Sequence, residues 1–208
     1  MEWRSNFGST AIVLVLDFMS RSPQDDSCDL ANEFVTDFAF LYRDPDDRQP
    51  LEAYQSAFVL RLFATAHLNA INGYVDIPSL DTQTLATSGM TGVIALCAVA
   101  IERAFKLVKA KDINVQDILS SASKGKLVIK LPKVLNMSTG KETNVPFLFS
   151  VANWGKATKG FIKSIRNKPA GYVETITNVA RATLQDVNAE TPLSSFDEDA
   201  DEDIRVFI

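Results

Sequence analysis

Thr91-Gly92-Val93-Ile94-Ala95-Leu96-Cys97-Ala98-Val99-Ala100-Ile101-Glu102-Arg103-Ala104-Phe105-Lys106-Leu107-Val108-Lys109 decides the fold class of this chain. Its first half is apolar nearly all round, and a helix of that kind belongs at the centre of a helical domain. Its second half ends in Lys106 and Lys109, with Lys111 just beyond, where cations suit the negative end of the helix dipole. The apolar run from Gly92 to Ile101 is about half a membrane span, which makes it a core helix rather than a transmembrane one.

Working outward toward the N-terminus, residues Leu51 to Asn72 predict a helix that stops at Gly73. Phe7, Ala11, Leu14, Val15 and Phe18 recur at helical spacing and predict a first helix to about Ser20, capped by Ser5 or Ser9. Leu30, Phe34, Val35, Phe38 and Leu41 mark the buried stripe of a second helix, capped by Ser27 or Asp29. Asp44-Pro45-Asp46-Asp47-Arg48-Gln49-Pro50 is turn chemistry, and Tyr74 to Met90 is a connector.

Toward the C-terminus, a short helix near Val115 to Ser121 precedes two strands, Lys126–Leu131 and Val145–Phe149. Asn136 to Gly140 supplies the turn between them. Two further helices, Ala152–Arg166 and Tyr172–Val187, are separated by Lys168-Pro169-Ala170-Gly171. The expected architecture is mainly α: a single domain of about six helices over 1–187, one small β-hairpin near 126–149, and a disordered acidic tail over 188–208.

Composition agrees. Of 208 residues, 46% are hydrophobic and 23% charged, enough apolar material for a sizeable core. Nine Gly, eight Pro and two Cys exclude collagen-like, low-complexity and disulfide-framework classes. Met1 to Arg4 carry an acid and lead straight into an amphipathic pattern, so no signal peptide is expected. Cys28 and Cys97 form no CxxC and call for no oxidising compartment; the expected location is nuclear or cytoplasmic, not secreted.

Charge is distributed in blocks. Residues 1–100 hold five Arg, no Lys and thirteen acids, a net of −8. Residues 101–190 hold fifteen Lys or Arg against seven acids, a net of +8. Residues 191–208 hold Arg205 against six acids, a net of −5. Such asymmetry offers a polar surface to an oppositely charged partner or to the chain itself.

Several short motifs stand out as a set. They are Trp3-Arg4-Ser5-Asn6-Phe7-Gly8-Ser9-Thr10-Ala11, Phe58, Phe63-Ala64, His67-Leu68, and Gly73 to Pro78. Ser88-Gly89-Met90-Thr91-Gly92, Glu102-Arg103-Ala104, Phe149-Ser150, Asn153-Trp154-Gly155 and Thr158 complete it. In these the chain resembles an uncharacterised fungal, basidiomycete-type family, known mainly as a domain of unknown function. The resemblance covers roughly Trp3 to Ile165. It implies no catalytic, cofactor or ligand residue, and its lineage-expanded, mobile-element-like relatives point toward nucleic-acid biology.

Chemistry-bearing candidates are few. His67, the one histidine, would have to be the base of any Ser–His or Cys–His hydrolase, but it lies in an apolar helical stretch and reads as structural. Ser88 to Gly92 opens a helix as an anion cradle would, yet lacks the Lys-Ser/Thr of a P-loop; a turn, with Gly92 allowing close helix packing, is the simpler reading. Asp44, Asp46 and Asp47 lack the sixth-position Gly and terminal Glu of a calcium loop and read as a capped turn. Glu33 and Glu102 lie beside apolar stripes and are the one candidate acid–base pair. No metal, cofactor or catalytic residue is assigned, and an enzyme is the weakest reading.

The strongest candidate is a basic stripe. At about 100° per residue, Lys156, Lys159, Lys163 and Arg166 fall within about an 80° arc of one helix, opposite Ala157, Phe161, Ile162 and Ile165. Lys124, Lys126, Lys130, Lys133 and Lys141 extend the surface on the hairpin. The tail, Asp197 to Ile208, carries acids followed by alternating Ile204, Val206 and Ile208, which could add as a strand to a partner's sheet edge. These features point to a non-enzymatic intracellular interaction module with an unidentified protein partner and no membrane. The alternative is a nucleic-acid-binding domain that sets the lysine stripe against phosphates.

Overall fold

The computed structural model describes residues 2–21, 27–69, 78–80, 89–122 and 129–190. In chain order these form α1 (Glu2–Arg21), α2 (Ser27–Val35), α3 (Ala57–Phe63), α4 (Met90–Lys109) and α5 (Val115–Ala122). Then come β1 (Val134–Asn136), β2 (Lys141–Thr143), α6 (Val151–Arg166) and α7 (Tyr172–Glu190). The protein is a mainly helical domain with one small antiparallel hairpin. It has seven α-helices among the described residues, the expected short helix α5 included, in keeping with an architecture of about six.

α4 is the centre. Fifteen of its twenty residues are buried, including Ile94, Cys97, Ile101 and Phe105. α1, α2 and α6 pack on it most extensively, and α3 and α7 also touch it. Phe105 stacks on Phe34 at 5.1 Å and meets Phe58 edge-on at 5.2 Å, while Phe18 sits edge-on to both Phe34 and Phe58. This aromatic cluster ties α1, α2 and α3 to the central helix through large buried areas and favourable ring geometry.

Three elements depart from their sequence pattern. The second helix ends at Val35 instead of continuing to Leu41, because Asp37 (φ 51°) and Phe38 (φ 57°) adopt left-handed backbone. That break turns Phe40 and Leu41 into the core and leaves Phe38, expected in the buried stripe, 47% exposed.

The third helix starts at Ala57, not Leu51. Pro50–Glu52 is a 3-10 turn, Tyr54 has φ 60°, and Ser56 caps α3 by accepting the Val59 N–H at 3.2 Å. The rearranged stretch buries Tyr54 edge-on to Phe161, and the Tyr172 hydroxyl donates to the Ala53 carbonyl. Packing against α6 and α7 outweighs the local helical periodicity here. α3 continues as a π-turn over Ala64–Leu68; the expected stop at Gly73 lies outside the described residues.

The expected hairpin is present, but its strands, Val134–Asn136 and Lys141–Thr143, lie between the two apolar runs and not on them. Val134 pairs with Thr143, Leu135 with Glu142 and Asn136 with Lys141. The Asn136 carbonyl accepts the Thr139 and Gly140 N–H groups, and its side chain accepts the Ser138 N–H at 2.9 Å. Ile129 to Leu131 is irregular, Val145–Phe147 is a 3-10 turn, and 126–128 lie outside the described residues. Pro146 brings no N–H to a ladder, and the carbonyls around it are taken by side chains.

At the ends, α1 runs through Ser5 and Ser9, so neither caps it. α7 runs to Glu190, so residues 188–190 are helical and not part of a tail; helix propensity carries past Val187 through Ala189 and Glu190. Residues 191–208 lie outside the described residues.

Candidate functional site

The site begins with how α6 is anchored. Ser150 caps it by accepting the Asn153 N–H at 3.3 Å. The Asn153 amide donates to the Val145 and Leu148 carbonyls, at 2.8 and 2.9 Å. From the buried helix α4, Arg103 sends Nε and Nη2 to the Phe147 carbonyl at 3.0 and 2.7 Å. Burial brings the Arg103 pKa down to about 10, so the guanidinium stays charged at neutral pH and these are charge-assisted bonds. In the same strap, residues 144–150 leading into α6, Phe149 lies against Gly8, where a Cβ would come within 3.2 Å of the Phe149 Cβ. Residues quoted above for the fungal resemblance (Gly8, Arg103, Phe149, Ser150 and Asn153) therefore meet at one junction.

Trp154 and Thr158 line the next turns of α6. Lys106 of α4 lies over the Trp154 ring, 5.5 Å from its centroid, and its Nζ is 2.5 Å from Glu102 Oε1. Glu102 is buried, and among the described residues its Oε2 has no hydrogen-bond partner. Glu33, the other half of the candidate acid–base pair, is exposed on α2; the partner of Glu102 is Lys106.

The basic stripe is placed as its spacing predicts. Lys156, Lys159, Lys163 and Arg166 are all exposed, while Phe161 and Ile165 are buried and Ala157 and Ile162 partly so. Among the described residues none of the four cations forms an ion pair. Ten residues of helix make the row about 15 Å long. Lys130, Lys133 and Lys141 are exposed on and near the hairpin, with Lys133 4.0 Å from Glu142. That exposed pair contributes little. Lys124 and Lys126 lie outside the described residues, as do Ile204, Val206 and Ile208 of the tail.

What the sequence did not advertise is exposed apolar surface on and after the hairpin and at the start of α6. Leu135, Met137, Val145 and Val151 are exposed, Met137 by 85% and Val151 by 62%. A pocket of about 210 Å³ opens between α4 and α6, walled by Leu96, Phe149, Val151, Trp154 and Thr158, with Lys159 at its edge. On the α6 wheel Val151 and Thr158 lie between the cationic arc and the buried one, and Trp154 lies within the buried one. Arg103 and Asn153 build this surface by fixing the strap. Their one sequence signal was an arginine inside an apolar helix and an asparagine three residues after a serine cap.

The remaining candidates are structural. His67 is half-buried and stacked on Phe63 at 5.9 Å, and burial lowers its pKa. Among the described residues no group of three or more His, Cys, Asp or Glu converges on a point. Gly89 opens α4 in left-handed backbone (φ 78°), and its carbonyl accepts the Gly92 and Val93 N–H groups. Among the described residues a Cβ at Gly92 meets nothing within 4 Å, so the close packing expected there is not seen among them, and Gly8 makes a close approach. Asp44 Oδ1 accepts the Asp46 N–H at 2.9 Å and the Asp47 N–H at 3.3 Å, the capped turn read from the sequence. Cys97 is buried, which pushes its thiol pKa up, and neither cysteine is in a disulfide. No helix among the described residues is long and apolar enough to cross a membrane. Compared with protein-family models, with curated proteins and with solved structures, the chain matches none of them.

Proposed function

We propose that the chain is a non-enzymatic interaction module of the nucleus or cytoplasm, recognising an acidic protein segment that carries apolar side chains. The observation that carries this reading is the adjacency on α6 of four exposed cations, without ion-pair partners among the described residues, and an apolar pocket lined in part by Lys159. A phosphate backbone would use the cations and leave the pocket and the exposed Leu135, Met137 and Val151 in water. An acidic segment with aliphatic residues would use both. Resemblance to the fungal family is part of the same proposal and draws support from the meeting of its motif residues at the Arg103–Phe147 junction.

The nucleic-acid reading is second, favoured by the uninterrupted cationic row. Anisotropy titrations separate the two. The probes are a labelled peptide of six acids followed by three aliphatic residues, and labelled DNA and RNA 20-mers. The protein is the full chain carrying Asp197→Asn, Glu198→Gln, Asp199→Asn, Asp201→Asn, Glu202→Gln and Asp203→Asn, so that its own acids do not compete. Peptide binding that weakens at least tenfold with Lys159→Glu and Lys163→Glu is the expected result. Oligonucleotide binding with a salt slope that those two changes lower by about two would install the second reading instead. Binding of neither probe at low salt would leave the row a solvated face.

A further inference from the structure

We infer that the occupant of the α6 surface within the free chain is its own acidic segment, residues 197–208, which masks the surface until a partner displaces it. This rests on the reading above and adds a regulatory element to it. Three observations converge: opposite charge, matching length, and an apolar group in the matching place.

The charge of the segment is opposite to that of its target. Residues 191–208 carry a net of −5, and the body from 101 to 190 carries +8. The four cations of α6 have no carboxylate partner among the described residues, so docking would break no existing ion pair. In length, the seven residues Asp197 to Asp203 extended span about 20 Å, close to the row of about 15 Å from Lys156 to Arg166. Immediately after the acids come Ile204, Val206, Phe207 and Ile208, and immediately beyond the cations at the N-terminal end of α6 lies the apolar pocket. The order of features sets the direction: the segment runs antiparallel to α6, Asp197 near Arg166 and Lys163, Asp203 near Lys156 and Lys159. Its aliphatic residues then reach Val151, Trp154 and Leu96. Reach is sufficient, since eighteen residues beyond Glu190 extend to about 60 Å, more than the diameter of a domain of this size.

Docking within one chain has a strong entropic advantage. A short tether holds the segment at an effective concentration of about a millimolar, so contacts that bind weakly between molecules are well occupied within one. A partner must then compete, and the surface is available only to ligands that outbid the tail or when the tail's charge changes.

Zero-length carbodiimide cross-linking of the full chain at low micromolar concentration tests the placement. The expected products are monomeric, with Lys163 joined to Asp197 to Asp199 and Lys156 or Lys159 joined to Asp201 to Asp203. They disappear in 1 M salt and with Ile204→Ser plus Ile208→Ser. Cross-links scattered evenly over Lys109, Lys111, Lys130 and Lys141, cross-links only in dimers, or none at all would overturn self-docking. The labelled acidic peptide, titrated against the full chain and against the chain with the six neutralised residues, separates this failure from failure of the underlying reading. At least tenfold weaker binding to the unmodified chain is expected. Equal, lysine-dependent binding to both sinks self-docking and keeps the interaction module; binding to neither sinks both. Val151→Asp supplies a control, because it places a repelling charge at the pocket mouth on the first turn of α6, where an acid suits the helix dipole. It should abolish the Asp201–Asp203 cross-links while the fold, read by circular dichroism, stays intact.

Discussion

α4 and α6 are helices of similar length with opposite uses. In α4 fifteen residues are buried; in α6 only Phe161 and Ile165 are buried. α4 therefore carries stability and α6 carries surface. The comparison also shows where the two roles join. Arg103 is a charged residue inside the buried helix, and its bonds to Phe147 fix the strap that leads into α6. A polar group so deeply placed is tolerated because its donors are satisfied.

The widest gap between the two helices should appear with Phe105→Ala. Phe105 is fully buried among Phe34, Phe40 and Phe58, so a loss of about 3–5 kcal/mol is expected in urea denaturation. A loss under 1 kcal/mol would remove α4 from the centre of the stability argument. Arg103→Met comes next. It leaves the Phe147 carbonyl without its donor, at a cost of about 1–3 kcal/mol. Faster amide exchange at Leu148 and Asn153 should accompany it, and unchanged exchange would show that the strap is held by other contacts. Ser56→Ala removes the α3 cap that replaces the expected start at Leu51, and should cost about 1 kcal/mol. If Ser56→Ala is silent, the altered helix start is not maintained by capping.

A smaller effect is expected from pH. Burial holds the folded-state pKa of His67 below the ordinary histidine value of 6.5. The unfolded chain then takes up this proton first, so stability contributed above pH 6.5 falls as pH drops through that value toward the folded pKa. His67→Gln should flatten the denaturation midpoint across that window, and an unaltered slope would assign the pH dependence to other groups. Smallest for stability is the pair Lys159→Glu and Lys163→Glu. Both side chains are exposed and without an ion-pair partner among the described residues, so the midpoint should not move while binding of the acidic peptide collapses. A large shift in midpoint would mean that these lysines serve the fold and not the surface.

Much of this architecture was legible because hydrophobic periodicity is a local property of the chain. The limits of α6 and of the start of α7, the Asp44 turn and the Asn136–Gly140 turn were all readable, since each depends on side chains within a few residues of one another. The cationic row was readable for the same reason: helical spacing alone puts Lys156, Lys159, Lys163 and Arg166 on one face. The early end of α2, the late start of α3 and the short strands were not readable. Asp37, Phe38 and Tyr54 adopt left-handed backbone because Phe40, Leu41 and Tyr54 gain burial against elements distant in sequence. The apolar pocket was also hidden, being made by Leu96 from one helix, Phe149 from the strap and Trp154 from another helix.

The sequence by itself determined the helical class, the central helix and the exposed cations, because a periodic apolar face has to be buried and a periodic charged one has to stay in water. Tertiary structure alone decided that Arg103 reaches Phe147, that Gly8 receives Phe149, and that the cations border an apolar pocket. Those outcomes depend on contacts between residues tens of positions apart, whose gain in burial and hydrogen bonding exceeds any local preference.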